Sequence, residues 1–288
     1  MALWIRILWI VFYFSLLLVP LDIIGNLLGS HLGVEKNGVA KLLFLGLPVI
    51  LLVLHSLLTL SAVRAIFFIV LASFTGWLME VWGLSSGIFF GGQYVYKPNQ
   101  VALLNVPVSV VLYWAVFIYT GYCVVNSFVY WLDKQKPSRH QKNLWLLPLA
   151  ILLDGWLVVA IDLFMDPLQV QLGNWRWLEG GPYFGVPIGN FIGWFIVTII
   201  VTGIFRTFEY FFSQKETKYD KAVYIMPVLG YGALATTFAL NAIKQQMPDL
   251  AVLGSVLMLP VVILNVILFI KWKKKATAKL LTPRLRAR

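Results

Sequence analysis

The chain has 288 residues, 60% of them hydrophobic and 15% aromatic, with only 12% charged and a mean hydropathy of +0.84. A water-soluble domain carries about 25% charged residues, so this composition excludes a soluble globule and describes an integral membrane protein. The net charge of +11 belongs, in such a chain, to short loops on one face of the bilayer and not to nucleic-acid binding.

Eight apolar runs, each matching the roughly 20 residues that cross a bilayer as a helix, start near Leu3, Lys41, Arg64, Leu103, Leu144, Ile188, Ala222 and Leu250. No stretch alternates with the period of two that a membrane barrel needs. The expected fold is therefore all-α: a polytopic helical membrane protein of seven to eight, about eight, transmembrane helices. The first run is long, lacks a small-x-small cleavage pattern and ends in Pro20-Leu-Asp22, so it reads as an uncleaved first helix. The third passes through Trp77 to Glu80 without a loop signal, and Pro167 predicts that the fifth stops at Asp166. Pro48, Pro227 and Pro260 mark expected breaks. With the N-terminus inside, 18 of the 23 basic residues fall on the inner side and 5 on the outer, which sets an N-in, C-in topology. Residues 1–272 form a single transmembrane domain on this reading. Residues 273–288 form a basic, unstructured cytoplasmic tail lying against anionic lipid.

Two long loops, 80–105 and 162–187, fall on the same outer side and are positioned to converge. They share a loose parallel: a helix ending in an acid, a Gly/aromatic loop, then Val-Pro opening the next helix.

One cysteine, Cys123, excludes an internal disulfide and a thiolate metal centre. His31, His55 and His140 are scattered, without the spacing of di-iron or haem ligands, and no nucleotide-binding glycine motif is present. The expectation is no metal and no cofactor. Chemistry then rests on ionisable residues at membrane depth, which are costly and point to function by default: Asp22, His55, Glu80, Asp154, Asp162 and Asp166. Asp22 and His55 read as structural, one satisfying backbone after Pro20, the other a packed, hydrogen-bonded side chain. Asp162 and Asp166 are four apart and share a helix face, and Asp162 is also within reach of an ion pair with Arg176. Asp154 lies about 12 Å deeper, turned by about 80°, and neither it nor Glu80 has an obvious charge partner. A carboxyl in an apolar site keeps its proton, which a general acid requires.

Around the acids concentrate Trp82, Phe89, Phe90, Tyr94, Tyr96, Trp175, Trp177, Tyr183, Phe184 and Trp194. They form either an interfacial belt or a π-lined pocket that shelters a cation. Gly185, Gly189 and Gly193 form a doubled Gly-x₃-Gly, read first as close helix packing and second as a groove for a long ligand. Magnesium–diphosphate chemistry would need a second aspartate cluster and basic residues, and neither is present beside Asp162-x₃-Asp166.

Two blocks carry a family resemblance. Glu80-x₂-Gly83-x₃-Gly87-x-Phe-Phe-Gly91-x₂-Tyr94-x-Tyr96, followed by Asn105-Val-Pro107 and Trp114, is the looser one, with Phe89-Phe90-Gly91 where Pro-Phe-Gly is common. Asp162-Leu-Phe-Met-Asp166-Pro167, Trp175-x-Trp177 and Gly181-x-Tyr-Phe-Gly185-Val-Pro187-x₂-Asn190-Phe-x-Gly193-Trp194 form the more specific one. Together, over roughly 70–200, they resemble the carotenoid biosynthesis membrane proteins of the carotenoid 1,2-hydratase (bisanhydrobacterioruberin hydratase) type. The resemblance implies a multi-pass cell-membrane enzyme of the hydro-lyase class, with a carotenoid as lipid-soluble substrate. Its reaction is hydration of the terminal C1=C2 bond of an acyclic end group. The residues agree with it: protonation to a tertiary cation and water capture need a carboxyl acid, an aromatic wall and one placed water. The acid falls to Asp162 or Glu80, water positioning to Asp166 with Asn190, and Asp154 joins the catalytic candidates. Phe90, Tyr94, Tyr96, Trp175, Trp177, Tyr183, Phe184 and Trp194 are the candidate substrate wall. The alternatives are a carotenoid end-group cyclase, and a non-catalytic transporter or carotenoid-binding assembly protein.

Overall fold

The computed structural model describes residues 2–27, 38–133, 146–212 and 221–286. His31, His140, the basic segments 134–142 and 213–220, and the side chains of Asp22 and of the tail beyond residue 274 lie outside the described residues. The helices are α1 (Ala2–Leu27), α2 (Gly38–Thr59), α3 (Ala62–Ser86), α4 (Val108–Asp133), α5 (Leu146–Gln171), α6 (Ile188–Phe211), α7 (Met226–Lys244) and α8 (Pro248–Arg286). Among the described residues, α3 to α8 are long and apolar enough to span a membrane, while α1 and α2 contribute the shorter apolar stretches Leu3–Leu18 and Leu45–Thr59. The chain is an all-α polytopic protein.

α4 is the central helix, touching α2, α3, α5, α6, α7 and α8. Lipid gives helices no hydrophobic reason to associate, so close packing of small against large residues does the work. Gly76 on α3 receives the Trp114 ring of α4, Gly155 on α5 receives Phe195 of α6, and Gly254 on α8 receives Phe164 of α5. Each interface thus pairs a missing Cβ with a ring.

Several expectations need correction. Pro48 sits inside α2 and Pro227 in the first turn of α7, where a missing N–H costs nothing. α8 runs unbroken past Pro260 and continues as helix to Arg286, where an unstructured tail was expected. Its Lys, Ala and Leu residues between 273 and 282 are helix formers. α5 also continues past Pro167 to Gln171. A proline at 167 strips the Leu163 carbonyl of its helical donor, and the Tyr183 hydroxyl replaces it at 3.0 Å. A tertiary bond has cancelled a local stop signal.

The two long loops meet. β1 (Tyr94–Tyr96) pairs antiparallel with β4 (Trp175–Trp177), in the register Tyr94↔Trp177, Val95↔Arg176 and Tyr96↔Trp175. β2 (Ala102–Leu103) and β3 (Val106–Pro107) form a tight hairpin through Leu104 and Asn105, both at positive φ. Two consecutive residues at positive φ make the turn that suits strand twist. The second loop repeats this device: Phe184 and Gly185, at φ 49° and 85°, join a Tyr183↔Val186 bridge. Val-Pro follows in both, with Val106 and Val186 fully buried. The parallel between the loops is structural.

Candidate functional site

Three carboxyls gather under the β1–β4 pair. Glu80 lies within the buried face of α3, a turn and a half before its end, and not in a loop. Its Oε2 accepts the hydroxyls of Tyr94 and Tyr96, each at 2.7 Å, and its Oε1 accepts Trp114 Nε1 at 3.1 Å. Tyr94 and Tyr96 are two apart on β1 and so share one face of the strand, which lets both hydroxyls reach one oxygen. Burial first, and Glu80 second, hold both phenols well above the ordinary tyrosine range, so they remain donors. Asn190, in the first turn of α6, donates from one Nδ2 to Asp162 Oδ2 and Asp166 Oδ2, both at 2.7 Å. The i, i+4 spacing on α5 makes that shared contact possible. All four polar residues are buried, and Asp162 Oδ1 is a buried oxygen without a hydrogen-bond partner among the described residues.

This cluster closes one end of a cavity of about 430 Å³. Glu80, Asp166 and Asn190 line it, together with Phe90, Tyr94, Tyr96, Trp175, Trp177 and Trp194. Trp194 stacks on Trp114 at 3.9 Å, and Trp177 donates Nε1 to Phe90 O at 3.1 Å, tying the two loops together. From there the cavity runs along α4 from Pro107 to Thr120, about 20 Å at 1.5 Å per residue, between α1, α2 and α7. Ser109 lines this stretch near the loop end, and three further hydroxyls on it are bonded within their own helices. Ser15 donates to Phe12 O, Thr120 to Val116 O and Thr237 to Ala233 O, so the wall there is mostly hydrocarbon. His55 lies on its far wall. Its Nε2 donates to Val223 O at 3.1 Å, which leaves Nδ1 to accept the Tyr119 hydroxyl at 2.9 Å.

Four candidates stand elsewhere. Asp162 is not in the cavity wall and touches it through Asn190 and through Asp166. Tyr183 serves the Leu163 carbonyl; burial first, then Asp162, push its phenol up to about 12. Phe184, partly exposed, packs edge-on against Tyr183 and not on the cavity wall. Asp154 corrects the expectation that it lacks a charge partner. Arg206 meets it with two hydrogen bonds of 2.6 and 2.7 Å, donates to Asn126 Oδ1 at 2.9 Å, and lies over the Tyr122 ring. Tyr122 in turn donates to Glu209 at 2.7 Å, and Arg64 joins Glu209 and the Phe212 carbonyl. Arg206 is sixteen residues beyond Asn190 on α6, about 24 Å along the axis, so this network belongs to the opposite end of the bundle. Its sequence signal was a cation inside an apolar run, obscured by counting Arg206 among loop bases.

The doubled Gly-x₃-Gly also has a different partner from the helix first expected. A Cβ on Gly189 would lie 2.6 Å from Gly91 Cα, and one on Gly193 would lie 2.7 Å from Phe90. The glycines seat the 88–92 loop on α6 and so press Phe90 into the site.

The sequence model of the family described as carotenoid biosynthesis protein matches residues 38–261. That span takes in α2 to α7, both long loops and most of the membrane part of α8. No curated protein and no solved structure matches the chain.

Proposed function

The chain belongs to the carotenoid biosynthesis protein family, and from that premise we propose that it hydrates the terminal C1=C2 bond of an acyclic carotenoid end group. The observation that carries this reading is the placement of Asp166 and Asn190 at the end of a hydrocarbon-lined cavity whose end wall is aromatic. A long polyene fits such a slot with its end group against the acids. Asp166 is the acid in this scheme, because it faces the cavity whereas Asp162 is not in the cavity wall. Its proton goes to C2, the π pair forms the C2–H bond, and a tertiary cation is left at C1. Trp175, Trp177, Trp194 and Phe90 face that cation with π density, without a nucleophile to trap it. Glu80, loaded with three donors, is held as an acceptor beside it. Water attacks C1 and returns a proton to Asp166, so the cycle balances with no other reactant.

The test is expression in cells that accumulate an acyclic carotenoid, followed by pigment mass analysis in heavy-oxygen water. Gain of the mass of one labelled water per converted end is expected. Conversion without gain of mass or label points instead to end-group cyclisation, and no conversion of any acyclic precursor sinks the enzymatic reading.

A further inference from the structure

The loop end of the cavity holds a second set of polar groups that the acids do not use. Gln169 follows Asp166 by three residues, so Asp162, Asp166 and Gln169 lie along one stripe of α5. Gln169 and Asn174 both line the cavity, and Asn174 Nδ2 donates to Gln169 Oε1 at 2.6 Å. The turn between them is fixed. Asn174 N–H donates to Gln169 O at 2.9 Å, Lys97 N–H donates to Asn174 O at 2.8 Å, and Gly173 supplies the positive φ of 69°. Both side chains are half-buried, one helical turn above Asp166 on the side of the loops. The amide–amide bond uses one donor and one acceptor. It leaves Gln169 Nε2 and Asn174 Oδ1 without a protein partner among the described residues. Farther along the cavity, Ser15, Thr120 and Thr237 spend their hydroxyls on their own helices. The amide pair therefore offers the cavity a donor and an acceptor side by side, next to the acid.

We propose that the Gln169–Asn174 pair binds and orients the water that captures the cation; this rests on the hydration reading above. Asn174 Oδ1 accepts one water hydrogen and Gln169 Nε2 donates to the water oxygen, which aims a lone pair at C1. As the C–O bond forms, the second water hydrogen passes to the Asp166 carboxylate, restoring the acid. The two reactants then arrive from opposite directions, the polyene along the hydrocarbon slot and water through the loops. Gln169 and Asn174 act on the second step only; protonation at C2 does not need them.

That division gives the test. In deuterium oxide, protonation of C2 followed by loss of a C2 hydrogen returns the alkene carrying deuterium, whereas water capture gives the alcohol. Wild type, Gln169→Met and Asn174→Leu are incubated with an acyclic carotenoid, and deuterium in recovered substrate is measured against alcohol formed. The ratio of exchange to alcohol is expected to rise by about tenfold in either variant, the scale of a lost positioning contact. The double swap Gln169→Asn with Asn174→Gln, which keeps two facing amides, is expected to bring it most of the way back. Because the ratio is internal to each sample, partial loss of folded protein leaves it unchanged. An unmoved ratio in both single variants, in an active wild type, overturns the water site. A wild type that forms no alcohol overturns the hydration reading and the water site with it.

Discussion

At the scale of single residues, Asp166 and Tyr183 separate chemistry from architecture. Asp166 lines the cavity and shares Asn190 with Asp162. Asp166→Asn keeps the size and the contact but removes the acid, so hydration should fall by about 10²-fold or more, with unfolding in detergent little changed. Asp162→Asn should cost less, because that side chain is outside the cavity wall and acts through Asn190 and Asp166. Equal losses in the two variants would contradict the assignment of the acid to the cavity-facing carboxyl. Tyr183 makes the complementary case. Tyr183→Phe keeps the ring against Phe191 but strands the Leu163 carbonyl above Pro167, which should cost about 1–3 kcal/mol. Thermal unfolding reads that loss directly. The pairing was hidden from sequence reading because the hydroxyl comes from twenty residues away, and local rules for proline do not see it.

Among the elements, much was legible and the failures have a common origin. Each of the eight helices begins within a few residues of an apolar run's start, because hydropathy is a local property that lipid reads strongly. The convergence of the loops was legible too, from the helix count that puts both on one side of the bundle. What composition could not reveal was pairing between elements. Arg206 and Asp154 are 52 residues apart, and either alone looks like an isolated charge. Likewise, Gly-x₃-Gly announces a flat surface without naming what lies on it. Here the occupant is the 88–92 loop, and the contact is backbone to backbone at Gly189 and Gly91. Gly189→Ala cannot be relieved by moving a side chain and should lift the loop, with a cost of about 1–3 kcal/mol and loss of turnover. Gly46→Ala in α2, where a new Cβ meets nothing within 4 Å, should be neutral or stabilising by about 0.5–1 kcal/mol. Melting temperatures of the two variants, side by side, check both.

Taken as a whole molecule, the protein separates two kinds of buried polarity. At the loop end, carboxyls meet Tyr, Trp and Asn donors and open into a cavity. At the other end, Asp154, Arg206, Tyr122 and Glu209 close on one another across α4, α5 and α6. That second network is a clamp. Asp154→Asn leaves the Arg206 guanidinium without its partner charge and should destabilise by about 3–5 kcal/mol, while the pattern of products from the surviving folded protein stays the same. A changed product pattern would mean that the clamp reaches the site.

The slot between these ends has one more consequence, for the order in which a pigment is built. Along most of its roughly 20 Å, Ser15, Thr120 and Thr237 have given their hydroxyl protons to backbone carbonyls. An oxygen function on the polyene farther along the slot, beyond Ser109 and the amide pair, would therefore enter short of hydrogen-bond donors, at a cost of about 1–3 kcal/mol. Matched substrates with and without a hydroxyl or keto group on that segment should differ by about tenfold or more in conversion rate, and equal rates would refute the idea. On the hydration reading, the slot thus places oxygenation of that part of the chain after the end group has reacted.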